Sequence, residues 1–198
     1  MTRMRWLATL PMMAAVIAVV LSGTPSLAQT WRPMPPEEAH LVVPVSAFGS
    51  GNIRRYVIDL NTTVRYERWV TPIDPSRRFF QLVLRESTAG VPVREEADLR
   101  EFVVESWGAE DASRFAWGDE GTIATPLGPS EYAHFSVGDI GCVAFQTFFG
   151  GTSLGGGSGN YPANALKGLY CDPFFPRIPD TDIQRTISSI GVTDEVAR

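Results

Sequence analysis

Residues 141–175, GCVAFQTFFGGTSLGGGSGNYPANALKGLYCDPFF, hold both cysteines of the chain, Cys142 and Cys171, on either side of its longest glycine-rich run. Each cysteine lies in a short apolar and aromatic segment that predicts a β-strand. A disulfide between them pins two strands and closes a loop of about 30 residues, worth roughly 3–4 kcal/mol in loop-closure entropy. A redox pair or thiol nucleophile is the weaker reading, because 28 residues intervene and no histidine follows either cysteine closely. Phe148-Phe149 and Phe174-Phe175 flank the loop. Adjacent strand residues face opposite ways, so one of each pair is expected to lie away from the core.

Within this stretch Gly151-Thr152-Ser153-Leu154-Gly155 matches G-x-S-x-G, the nucleophile elbow of serine hydrolases. The elbow needs a helix straight after the serine and a histidine further along the chain. Here GGGSGNYPANA follows, and both histidines, His40 and His134, precede it. The same glycines lack the lysine-serine pair or the strand-to-helix context of a phosphate cradle. A flexible surface loop, stapled at its base, is the preferred reading.

The N-terminus carries Arg3 and Arg5, an apolar run of about 16 residues and the small residues Ser26 and Ala28. That run falls short of the ~20 residues needed to span a bilayer. Residues 1–28 therefore read as a signal peptide cleaved between Ala28 and Gln29, leaving no stable membrane span. Export places the protein in the periplasm or outside the cell, where one disulfide forms readily. Loss of the two arginines takes the formal charge from −5 to −7. Such an acidic chain has no electrostatic footprint for nucleic acid. Its 16 arginines against the single Lys167 fit a high-GC bacterial coding bias.

Residues 29–40 are proline-rich and predict an extended strap, and 41–198 a single domain. Residues 41–48 predict an edge strand or a strand with a break, because of Pro44. Residues 53–60, 63–70 and 78–85 predict a meander, the last being the clearest strand. Residues 95–107 predict a helix with Leu99, Phe102 and Val103 on one stripe, acids in its first turns and Gly108 as its stop. Residues 114–125 read as a hairpin with GDEG, 118–121, at its tip. Residues 131–137 and 142–149 follow as strands, and 169–171 as a short one. The last helix is expected at 182–190, capped by Asp180 or Thr181. The resulting class is α+β: a mostly antiparallel sheet of about six strands, two helices on one face, one disulfide.

No catalytic, cofactor or metal set emerges. His134 has Glu131 on the opposite strand face, His40 sits in the strap, and two lone histidines fall short of a zinc site. Asp119-Glu120 and Asp180 with Asp182 lack the calcium-loop pattern and read as turn and cap acids. The function expected is that of an exported, non-catalytic module binding an envelope protein or a small ligand. The alternative is a small serine hydrolase acting on envelope or ester substrates through Ser153 or the His134 region.

Overall fold

The β-branched and aromatic runs of the N-terminal half pair in chain order, as the meander reading requires. The computed structural model describes residues 30–44, 53–60, 63–72, 77–87, 98–108, 112–153 and 160–197. The expected signal peptide, its Ala28–Gln29 cleavage point, residues 45–48 of the first strand and the glycines at 155–157 lie outside them. In chain order the elements are β1 (Arg32–Pro33), β2 (Leu41–Val42), β3 (Arg54–Asp59), β4 (Val64–Val70), β5 (Phe79–Ser87), α1 (Leu99–Trp107), β6 (Ala116–Thr125) and β7 (Gly128–Val137). They continue as β8 (Ile140–Ser153), β9 (Asn160–Asp172), α2 (Asp180–Ser188), β10 (Gly191–Val192) and α3 (Asp194–Ala197). Eight strands form one sheet in the order β1-β3-β4-β5-β9-β8-β7-β6, antiparallel at every step, and β2 pairs with β10 apart from it.

The fold is thus mostly antiparallel sheet with few helices, and the sheet is larger than six strands. β1 joins its edge despite Pro33, since an edge strand can spare a ladder donor. The segment 169–171 is only the end of β9, which runs 13 residues beside β8. The residues GDEG do not turn. β6 passes through them with a register shift between Trp117 and Glu120, and the hairpin closes at Pro126 and Leu127.

The expectation of two helices on one face is corrected. Along β5, Phe80, Leu82 and Leu84 enter one apolar cluster while Phe79 enters another, and β8 divides Val143 and Phe145 from Cys142 and Ala144 in the same way. Both faces are apolar at the sheet centre, so both need a cover. Leu99, Phe102 and Val103 of α1 pack with the cluster of Phe79 and the disulfide. Ile183 and Ile187 of α2 pack with the opposite cluster. Each helix covers one face.

Local chemistry fixes the helix ends. The Asp98 carboxylate accepts from the Arg100 N–H at 3.2 Å, capping α1, and Gly108 ends it at φ 64°, a left-handed conformation suited to glycine. α2 starts at Asp180 behind Pro179 and has no side-chain cap, which moves its start ahead of the expected 182. Gly191 does not merely stop it but pairs with Val42.

Cys142 and Cys171 lie directly opposite each other on β8 and β9, with Cα atoms 4.1 Å apart, and form the disulfide. One member of each phenylalanine pair leaves the core: Phe149 is buried beside a half-buried Phe148, and Phe174 is 70% exposed. Among the described residues no helix is long and apolar enough to cross a membrane.

Candidate functional site

On the face that carries the disulfide, alternation along β3, β4 and β5 brings Tyr56, Arg68 and Val83 into consecutive register. Lys167 of β9 comes next to Val83. The strap lays Trp31 beside them, and α1 supplies Phe102, Glu105 and Ser106. A groove of about 470 Å³ results, floored by Tyr66, Arg68, Gln81, Val83 and Lys167. It adjoins a second hollow of about 290 Å³, in which Trp31 and Arg68 recur with Arg54 and Tyr56. Arg54, Arg68 and Lys167 face one acid, Glu105, so this region is cationic on an acidic protein.

Arg68 is the centre of the groove. One Nη donates to Gln81 Oε1 at 2.7 Å, and Gln81 Nε2 donates to Ser106 Oγ at 2.7 Å, tying the guanidinium to α1. The guanidinium carbon lies 6.0 Å from the Trp31 ring centre, at the outer limit of a cation–π contact. Its Nε is buried without a hydrogen-bond partner, and Arg68 forms no ion pair among the described residues. Burial pulls its pKa below the ordinary arginine value, against the opposing effect of the Tyr56 phenol. A half-buried guanidinium with no carboxylate costs free energy unless an anion completes it.

The opposite face holds a second polar centre. Glu67 of β4 is fully buried yet accepts three N–H donors: His40 N at 2.8 Å, Leu41 N at 3.1 Å and the Trp69 indole. His40 Nδ1 lies 2.8 Å from Glu86 Oε2 of β5. Burial raises the Glu86 carboxyl above the ordinary 4.5, the His40 hydrogen bond and charge pull it back, Arg65 lowers it further and Glu67 raises it. His40, expected to be an ordinary strap residue, is therefore tied to the sheet through two carboxylates. Sequence spacing carried no sign of this, since 27 and 46 positions separate it from Glu67 and Glu86.

His134 is buried in β7, and its Nε2 meets Asp180 Oδ1 at 3.2 Å at the start of α2. Glu131 instead accepts from Gln146 at 2.7 Å, as the alternation of β7 requires. The other three candidate turn and cap acids are ion-paired: Asp119 with Arg177 at 2.8 Å, Glu120 with Arg100 at 3.1 Å and Asp182 with Arg185 at 2.9 Å. Arg177 holds the Asp119 carboxyl below its ordinary value. Ser153 ends β8 paired with Asn160, and the next described element is β9, a strand. Val143, opposite His134, is ten positions back along β8, about 33 Å at ~3.3 Å per residue. The strand-turn-helix setting of a nucleophile elbow is not what β8 and β9 supply. No family of known proteins, no curated protein and no solved structure matches this chain.

Proposed function

We propose that the protein is an exported, non-catalytic binding module whose groove takes an organic anion with a flat apolar part. The periplasmic or secreted location rests on the signal-like N-terminus and is supported by the disulfide, which suits a non-cytoplasmic compartment. The single observation that carries the binding reading is Arg68. Its guanidinium is half buried, lacks an ion-pair partner among the described residues and lies between Trp31 and a rim of Arg54 and Lys167. A carboxylate or sulfonate supplies the missing charge, and Trp31, Tyr66 and Phe102 supply apolar and aromatic contact. The volume lies within the range of small-ligand sites. A small ligand fits it better than an envelope protein, which needs a broad surface.

The test compares 2-naphthoate with its neutral amide, monitored by tryptophan fluorescence and calorimetry. The anion is expected to bind at least about tenfold more tightly, a difference of about 1.4 kcal/mol, and Arg68→Gln to abolish that preference. Equal affinity for both probes, or a preference that survives Arg68→Gln, refutes the proposal.

A further inference from the structure

Among the described residues, one group of histidine and acidic side chains converges: His40, Glu67 and Glu86, whose ligand atoms all lie within 4.8 Å of one another. The group stands on the face opposite the groove. Glu67 is fully buried, and the Glu86 side chain is only 6% exposed. Glu86 Oε2 meets His40, but its Oε1 is buried and has no hydrogen-bond partner. Two carboxylates here face one guanidinium, that of Arg65, which is also engaged by the Glu38 carbonyl at 2.6 Å. With His40 neutral, two carboxylates stand against one guanidinium, and the buried Glu86 oxygen without a hydrogen-bond partner points to a cation as the missing partner.

We propose that His40, Glu86 and Glu67 form a binding site for a divalent cation of intermediate softness, Zn²⁺ or Mn²⁺. One imidazole nitrogen and two carboxylates form a donor set that both ions accept, whereas Ca²⁺ and Mg²⁺ favour all-oxygen sets. His40 Nδ1 and the Glu86 carboxylate are the primary ligands, and Glu67 closes the set through Oε2, which carries only the His40 N–H. Ligand bonds of about 2.0–2.1 Å in a tetrahedron put donor atoms about 3.3 Å apart. The Nδ1–Oε2 separation of 2.8 Å must therefore open by roughly half an ångström. The remaining position is open to water, since the His40 side chain is 21% exposed and forms the mouth. The metal takes the place of the hydrogen between His40 Nδ1 and Glu86 Oε2, and protons compete with it for the ligand atoms, so binding weakens as pH falls.

The experiment uses the chain from Gln29 onward, titrated with ZnCl₂ or MnCl₂ by calorimetry and followed by proton NMR. The chain has two histidines, so each ring gives its own Cε1–H signal. Stoichiometric Mn²⁺ is expected to broaden the His40 signal and leave that of His134 sharp. His40→Ala and Glu86→Gln are each expected to lower Zn²⁺ affinity at least about tenfold. The wild-type NMR result stands even if a variant fails to fold. No one-to-one binding of either ion, equal broadening of both histidines, or undiminished affinity in folded His40→Ala overturns the proposal.

Discussion

Glu67→Gln probes how the strap is held to the sheet. The wild-type carboxylate is fully buried and serves three donors: two at Oε1, from Leu41 N and the Trp69 indole, and one at Oε2, from His40 N. A glutamine of the same size keeps its oxygen on the doubly served side and turns its NH₂ toward the His40 N–H. One hydrogen bond is lost to a donor–donor conflict, at about 1–3 kcal/mol. Two others lose their charge assistance, at about 1 kcal/mol each. Burying a neutral amide in place of a charge returns part of this. The net loss expected is about 2 kcal/mol, which for a chain of this size lowers the melting temperature by roughly 4–8 °C. Urea unfolding followed by tryptophan fluorescence measures it, with the midpoint falling by roughly 1 M at a slope near 2 kcal/mol/M. A cycle with Trp69→Phe isolates the indole bond and is expected to show a coupling of about 1 kcal/mol. A Glu67→Gln loss below about 0.5 kcal/mol would mean that the three donors find equivalent partners elsewhere, and the argument would fail.

Three further outcomes are expected. Replacing both cysteines by alanine removes a cross-link spanning 29 positions and is expected to cost about 2–4 kcal/mol, read as a lower denaturation midpoint; no change would place the stabilisation in the β8–β9 ladder alone. Gly168→Ala sets a Cβ inside the edge of the Phe145 ring and 2.7 Å from Leu82 Cδ2, and calorimetry is expected to show a loss of about 2–3 kcal/mol. Tyr170 has its phenol pushed well above the ordinary 10.0, first by burial and then by the charge of Asp172, to which it donates at 3.2 Å. Because the folded pKa is raised, its contribution is fully present below pH 10 and is lost as pH rises through the folded value. A phenolate absorbance titration should show one of the five tyrosines ionising only as the protein unfolds, and five free phenols in the folded state would contradict the burial.

Local periodicity carried much of the sheet. The runs at 63–70 and 78–85 correspond closely to β4 and β5, because alternation and β-branched content are properties of the segment itself. The disulfide was legible too, since two cysteines leave one pairing. What escaped was decided by partners distant in sequence. β9 begins at Asn160, well before the expected 169, and accommodates Pro162 opposite Gly151 near the loop end of the β8–β9 hairpin. The helix faces depended on how many strands carry apolar residues on both sides, which shows only once β5, β8 and β9 stand together. Alternation along 63–70 puts Glu67 on the face of Trp69 and Arg68 on that of Tyr66, but nothing local says that Glu67 meets His40. The significance of Arg68 comes from Trp31 in the strap and Ser106 in α1, which no spacing rule joins to it.

The strap links these features because it passes around the β3 edge of the sheet. Trp31 lies against Arg68 on the disulfide face, whereas Met34 and Leu41 are buried in the opposite cluster. Between them β1 pairs with β3, Met34 N donates to the Arg55 carbonyl at 3.0 Å, and Arg32 bridges Glu38 and Asp59. An open eight-stranded sheet risks pairing with another chain at its edges. Here a two-residue strand ending in Pro33 blunts one edge. At the other, β6 carries the register shift and the ion-paired Asp119 and Glu120. The segment that protects the β3 edge thus also supplies the aromatic wall of the groove and the imidazole of the proposed metal site. Glu67, which touches neither the groove nor its ligand, holds that segment from the far face. Groove geometry, edge protection and the His40 cluster therefore share one segment, which Glu67 holds together with the β1–β3 pairing and the Arg32 and Arg65 contacts.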